Sequence, residues 1–213
     1  MLRALIVDWG GVLTTSLGPT FEQWAAEDGI DYPHYRSVMA ELLGPVGALE
    51  AGINPIHALE RGELEVADFE VQLAARLRRT DGAPVNGKGL VDRMFERFSH
   101  APDMNGLVRR GRALGLRTAL LSNSWGNTYP REGWSEMFDQ VVISGEVGMR
   151  KPELDIYRHT TKLLGIEPTE AVFVDDLPIN VQAAVRLGMV GVLHVDYEST
   201  RAELEALFDL PLS

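Results

Sequence analysis

Five short apolar runs, each closed by a turn or a polar residue, constrain this chain more than any other feature. Leu2 to Val7 stops at Asp8-Trp9-Gly10-Gly11. Thr118 to Leu121 stops at Ser122-Asn123, and Ala171 to Val174 stops at Asp175-Asp176. Gln140 to Ser144 and Val190 to Val195 repeat the pattern. A run that is apolar throughout, rather than alternating, reads as a parallel strand buried on both faces, opening a loop at its C-terminal end. Helical periodicity fills the gaps at Met104 to Leu114, Glu153 to Leu164, Pro178 to Leu187 and Thr200 to Phe208. In the second of these, Leu154, Tyr157, Thr161 and Leu164 fall on one stripe, and Gly188 suits the end of the third. Strand and helix in alternation predict an α/β fold, a Rossmann-like doubly wound parallel sheet.

The alternation breaks over residues 15–100, which hold no convincing strand. Phe21 to Glu27, Pro33 to Leu43, Ala67 to Leu77 and Leu90 to Phe98 read as helices, with turns at Gly44-Pro45 and Gly52 to Pro55. A helical block of this size between the first two strands predicts an inserted helical cap subdomain. Residues 1–14 and 101–213 then form the core. Asp81 to Gly87, rich in Gly, Pro and Asn, suits a return hinge.

Charge and composition narrow the function. With 31 acids against 20 lysines and arginines the formal charge is −11, which opposes nucleic acid and other polyanions as partners. A phosphate site on such a chain needs local positive charge. There are no cysteines, so disulfides, thiolate metal sites and cysteine nucleophiles are excluded. The apolar runs are far below the roughly 20 residues of a membrane span. The N-terminal run meets an acid before it could act as a signal segment, so the expected location is the cytoplasm.

In open α/β sheets ligands bind at the carboxyl ends of the strands. Asp8, Ser122 with Asn123, Lys151 in the loop Gly145 to Pro152, and Asp175 with Asp176 are all expected at that edge. Two or three carboxylates can hold a hard cation such as Mg²⁺. A cation and a lysine together lower the charge of a phosphoryl group enough for a carboxylate to attack it. Lysine is scarce here, with only Lys88, Lys151 and Lys162, so its position carries weight. The five histidines show no ligand spacing and read as ordinary surface or core residues. Trp9 suits either packing or a substrate contact.

These segments resemble a known family. Asp8-Trp9-Gly10-Gly11-Val12-Leu13, Leu120-Leu121-Ser122-Asn123, Met149-Arg150-Lys151-Pro152 and Val172-Phe173-Val174-Asp175-Asp176 look like the four ordered motifs of the haloacid dehalogenase superfamily. Leu59-Glu60-Arg61-Gly62-Glu63 resembles the cap of a branch that includes sugar-phosphate phosphatases and the phosphatase domain of soluble epoxide hydrolases. The resemblance implies a Mg²⁺-dependent phosphatase acting on a small phosphorylated metabolite through an aspartyl-phosphate. Asp8 would be the nucleophile and a metal ligand, and Lys151 would bridge it to the phosphate. Ser122, Asn123, Gly10 and Gly11 would bind phosphate. The Gly10 carbonyl, Asp176 and Asp175 would complete the metal site, with Asn180 steering the acids.

One position departs from the family pattern. Gly10 stands where most family phosphatases carry a second Asp as general acid and base, a function worth about 10²- to 10⁴-fold. Slow turnover is expected, or a good leaving group such as an anomeric or acyl phosphate. Gly10 also keeps open a catalytically degraded Mg²⁺- or phosphate-binding protein. A dehalogenase needs no metal, which Asp175-Asp176 argues against. A phosphonatase needs a cap lysine, and residues 15–87 contain none. A phosphomutase needs the missing Asp. A response-regulator receiver carries its acidic pair after the first strand, not the fourth.

Overall fold

The computed structural model describes residues 1–43, 54–126 and 128–213. Five strands form one parallel sheet in the order β3-β2-β1-β4-β5. They are β1 (Ala4–Val7), β2 (Arg117–Ser122), β3 (Gln140–Ile143), β4 (Ala171–Asp175) and β5 (Val190–Leu193). Every residue of β1 and β4 is buried, whereas the edge strands β3 and β5 are only partly covered. That is why the central strands read as unbroken apolar runs. The register sets Val7 beside both Leu120 and Val174. The last residues of β1, β2 and β4 therefore share one edge.

Successive strand residues point to opposite faces, and each face has its own core. Leu5, Val7, Leu120, Val172 and Val174 pack with Leu107 and Leu204. Ala4, Ile6, Ala119, Leu121 and Phe173 pack with Ile156, Tyr157 and Ala183. Helices α6 (Pro102–Ala113) and α11 (Tyr197–Phe208) thus cover one side, and α9 (Leu154–Leu164) and α10 (Pro178–Arg186) the other. The buried face of α9 also includes Ile156 and Thr160, so it is broader than the expected stripe. Gly188 follows α10 with φ +94°, a conformation that costs a residue with a side chain.

Between β1 and β2 lie α1 (Leu17–Asp28), α2 (Tyr32–Leu42), α3 (Pro55–Glu60), α4 (Val66–Arg76) and α5 (Leu90–Phe95). They surround a third apolar cluster that includes Trp24, Tyr35, Leu42, Ile56, Phe69 and Leu90, joined from outside the block by Trp125. The chain enters and leaves this block side by side. The Thr15 N–H donates to the Ser99 carbonyl at 2.9 Å, and the Ala101 N–H to that of Leu13 at 2.9 Å. Among the described residues the block holds no strand, only isolated bridges between Ile30 and Arg79 and, at its neck, between Thr14 and His100. Asp81 to Gly87 is irregular, and Asp81 accepts from the Ala83 N–H at 2.9 Å.

Some details differ from expectation. α3 was not foreseen, nor were α7 (Trp134–Met137) and α8 (Ser144–Val147). Ser144 opens α8 instead of closing β3. α1 begins at Leu17, four residues before the expected start, and α5 stops at Phe95. The turns expected at Gly44-Pro45 and Gly52 lie outside the described residues. Asn54 and Pro55 start α3, with the Asn54 side chain accepting from Ile56 and His57 N–H groups, an N-cap arrangement.

Candidate active site

The edge shared by β1, β2 and β4 gathers the predicted polar residues around one buried ammonium. Lys151 is 1% exposed. Its Nζ lies 2.7 Å from Asp8 Oδ1 and 2.7 Å from Asp175 Oδ2. A lysine this deep requires partners of opposite charge, and two carboxylates provide them. Burial works against the Lys151 charge, but Asp175 and Asp8 outweigh it and hold the ammonium above its ordinary range. It therefore remains protonated.

Asp8 directly follows β1. Its N–H donates to the Val174 carbonyl at 2.9 Å, which fixes the end of β1 against β4. Asp8 Oδ1 also accepts from the Trp9 N–H at 2.7 Å. Burial pushes the Asp8 carboxyl up; Lys151 opposes this, and the charges of Asp175 and Asp176 add to it. Asp176 is pushed up to about 6, by burial first and then by Asp175. Three carboxyls in close quarters thus repel one another, with one lysine to balance them.

The two acids after β4 have different surroundings. Asp175 is fully engaged, since Oδ2 accepts from Lys151 at 2.7 Å and Oδ1 from the Leu177 N–H at 2.8 Å. The Asn180 amide donates to both of its oxygens at 3.1 Å. Asp176, by contrast, has a buried Oδ1 without a hydrogen-bond partner. A buried carboxylate oxygen left unpaired is costly, and a cation would satisfy it. Ligand atoms of Asp8, Asp175 and Asp176 all lie within 4.8 Å of one another. The donor set, all carboxylate oxygens, suits a hard divalent cation such as Mg²⁺.

Gly11 makes room for this arrangement. Its φ is +74°, and a Cβ there would overlap the Asp176 carboxylate. Gly10 has space for a Cβ, which would meet Leu17 Cδ2 at 3.4 Å. An apolar side chain of α1 thus stands beside the position where an acid–base Asp was sought.

Ser122 ends β2, is 2% exposed, and its Oγ lies 3.0 Å from the Tyr129 hydroxyl. Asn123 uses its side chain in a way not foreseen. The amide oxygen accepts from the Lys151 N–H at 2.8 Å, and the amide nitrogen donates to the Lys151 carbonyl at 3.0 Å. The Lys151-Pro152 peptide in this loop is cis.

Four further residues, Tyr129, Glu60, Arg150 and Trp125, have contacts at the site that the sequence does not reveal. Tyr129 borders the site through Ser122. Glu60, at the end of α3, forms a buried ion pair with Arg150, next to Lys151. Glu60 also accepts from Trp125 Nε1 at 3.3 Å. The phrase around Glu60 was conspicuous in the sequence, but nothing local indicated a partner 90 residues away. Trp9 proves to be mainly packing: it is 8% exposed and meets His100, Tyr129 and Trp134 edge to face.

This geometry can be set beside known proteins. The family model for haloacid dehalogenase-like hydrolases matches residues 2–188. The chain belongs to this family. A sesquiterpene phosphatase of Aspergillus oryzae is 32% identical over 154 residues, covering 70% of this chain and 76% of that protein. Acyl-CoA dehydrogenase family member 10 of Mus musculus is 30% identical over 220 residues. That match takes in 99% of this chain, which spans only 19% of the mouse protein. A Bacteroides thetaiotaomicron HAD family enzyme, crystallised with magnesium and inorganic phosphate, superposes with a TM-score of 0.64 at 21% identity. The superposition covers 94% of this chain and 99% of the other, and it shows a common fold.

Proposed function

We propose that this hydrolase is a Mg²⁺-dependent phosphatase that removes the phosphoryl group from a small metabolite by way of an aspartyl-phosphate on Asp8. One observation carries the reading: the buried Lys151 ammonium sits 2.7 Å from Asp8, beside the unpartnered Asp176 oxygen. A nucleophile, a fixed positive charge and a cation-hungry acid within one site are what phosphoryl transfer to a carboxylate requires. The phosphatase among its relatives and the magnesium and phosphate in the fold neighbour support the same class.

Asp8, Asp176 and the Gly10 carbonyl would hold the cation, with Asp175 as a further ligand beside them, while Asn180 orients Asp175 and Asp175 orients Lys151. When bound, Mg²⁺ supplies charge neutralisation at the phosphoryl oxygens and keeps Asp8 ionised. Asp8 attacks phosphorus while Lys151 balances the charge that accumulates on the equatorial oxygens. Ser122 Oγ and the N–H groups of Gly10, Gly11 and Asn123 hold the phosphoryl group. Water then cleaves the acyl phosphate and restores Asp8. We assign residues 15–100 to a cap and residues 1–14 and 101–213 to the catalytic core. The cap helices over the site favour a small substrate by keeping out bulk water.

Gly10 favours a second reading, a protein that binds Mg²⁺ and phosphate without turnover. One experiment separates the two. Phosphate release from p-nitrophenyl phosphate is measured with and without Mg²⁺, beside Asp8→Asn. Mg²⁺-dependent release that vanishes in the variant supports the enzyme. Equal background from both proteins, with Mg²⁺ and phosphate still bound, supports the binder.

A further inference from the structure

The cavity that contains Asp8 is lined by two unlike sets of residues. It encloses about 610 Å³, within the roughly 300–1,000 Å³ typical of small-molecule sites. Asp8, Ser122, Asn123, Lys151 and Asp176 supply its reactive groups. An apolar wall is supplied by Leu17 and Phe21 from α1, Met39 and Leu43 from α2 and just past its end, Phe95 from α5, and Trp125. Residues four apart share a helix face, so each of the first two pairs presents one surface to the cavity. The polar groups on this wall are Tyr35, Arg36 and Glu60. Glu60 is already engaged by Arg150 and Trp125. A sugar or nucleotide held against such a wall would have few partners for its hydroxyls.

The second observation concerns a proton. The carboxyls lining the cavity, among the described residues, are Asp8, Asp176 and Glu60. Asp8 pairs with Lys151 and Glu60 with Arg150. Asp176 belongs to the proposed cation site. Beside Gly10 stands Leu17, with no acid in its place. Among the described residues, therefore, no carboxylic acid is free to protonate the departing oxygen. A leaving group must be weakly basic to depart without that help.

We infer that the substrate is an activated phosphate on an apolar body, an acyl or aryl phosphate whose leaving group is a hydrophobic carboxylate or phenolate. The inference rests on the phosphatase reading above. An Asp8 carboxylate oxygen bonds to phosphorus as the bond from phosphorus to the leaving oxygen breaks. The electron pair departs on that oxygen, which needs no proton. A water oxygen then bonds to phosphorus, the bond to Asp8 breaks, and the proton from water passes to solvent.

The test compares acetyl, octanoyl and octyl phosphate as substrates of the Mg²⁺-loaded protein, by phosphate release above the buffer blank. Acetyl and octanoyl phosphate share a leaving-group basicity and differ in apolar body. Octanoyl and octyl phosphate share the body and differ in basicity. The expected kcat/KM for octanoyl phosphate exceeds that for acetyl phosphate by roughly 100-fold or more, since each buried methylene is worth about fourfold. Octyl phosphate is expected to be slower than octanoyl phosphate by on the order of 100-fold or more. Leu43→Glu, at a side chain 47% exposed and so tolerant of change, should remove most of the octanoyl preference over acetyl phosphate, and an undiminished preference would overturn the apolar wall as its source. Equal rates for acetyl and octanoyl phosphate would overturn the apolar body. Octyl phosphate as fast as octanoyl phosphate would overturn the activated leaving group. No release from any of the three by the folded protein would overturn the phosphatase reading, and this inference with it.

Discussion

The Asn123 side chain and the Lys151 main chain exchange two hydrogen bonds, at 2.8 and 3.0 Å, across 28 residues of sequence. They tie the loop after β2 to the loop that carries the buried ammonium. Nζ reaches Asp8 because its own backbone is fixed at the other end of the side chain. Asn123→Ala is expected to lower kcat by about 10- to 100-fold, the usual effect of removing an orienting group, with a smaller change in KM. Asn123→Asp keeps the acceptor and should retain part of the rate. Steady-state kinetics on an aryl phosphate measure both, and a wild-type kcat in Asn123→Ala would show that other contacts position Lys151.

Glu60 and Arg150 are buried together, with side chains 5% and 7% exposed. Removing one partner leaves a buried charge alone, at about 3–5 kcal/mol. Glu60→Ala should destabilise the protein by about that amount in urea unfolding. Glu60→Leu with Arg150→Met should recover most of the loss, because an apolar pair of similar size avoids the desolvation cost. A Glu60→Ala protein as stable as wild type would mean that water reaches Arg150.

Asp176 gives the metal-free protein a pH dependence. Its carboxyl is pushed up to about 6, above an unfolded value of about 4. A raised acid contributes stability that is fully present below its unfolded value and is lost as pH rises through the folded one. In EDTA, this group should lower the Tm as pH rises from 4 to 7, and Asp176→Asn should flatten that slope. Mg²⁺ should restore stability at pH 7 and bind more weakly below pH 6, where protons compete for the ligand. An identical slope in Asp176→Asn would assign the effect to other groups.

Gly11 is required both for its φ of +74° and for the approach of Asp176. Gly11→Ala should cost about 1–2 kcal/mol from the backbone and weaken Mg²⁺ by displacing Asp176. Gly18→Ala, where a Cβ meets nothing within 4 Å, is the control: it should leave Mg²⁺ binding unchanged and, lying within α1, raise stability by up to about 1 kcal/mol. Calorimetric titration with Mg²⁺ and thermal unfolding report the two effects separately.

The sheet was legible because its central strands are buried on both sides and end in acids. No other pattern sets Ala4–Val7 before Asp8 and Ala171–Asp175 before Asp176. α7 and α8 were not legible, since four residues are too few to show a helical period. At the site, Asp8, Lys151, Asp175 and Asp176 stand at strand ends and in one loop, so topology brings them together. The use of the Asn123 side chain was hidden, because a Ser-Asn pair after a strand fits several local hydrogen-bond patterns. Glu60–Arg150 and the apolar wall depend on how α1, α2, α3 and α5 lie over the sheet, which no local spacing encodes.

Apart from Trp125, the apolar wall and the reactive groups of the cavity come from different stretches of chain. The reactive carboxylate, ammonium and hydroxyl arise from β1, β2, the loop before α9 and β4, whereas most of the wall arises from α1, α2 and α5. Among the described residues, the ion pairs from the helical block to the sheet domain, Glu60 to Arg150 and Arg61 to Glu153, start at the end of α3 and not from α1, α2 or α5. A lineage can therefore alter residues 17–43 and 95, and with them the molecules it accepts, while inheriting the bond-breaking apparatus intact. Divergence in diet without divergence in chemistry is written into which helices supply the wall.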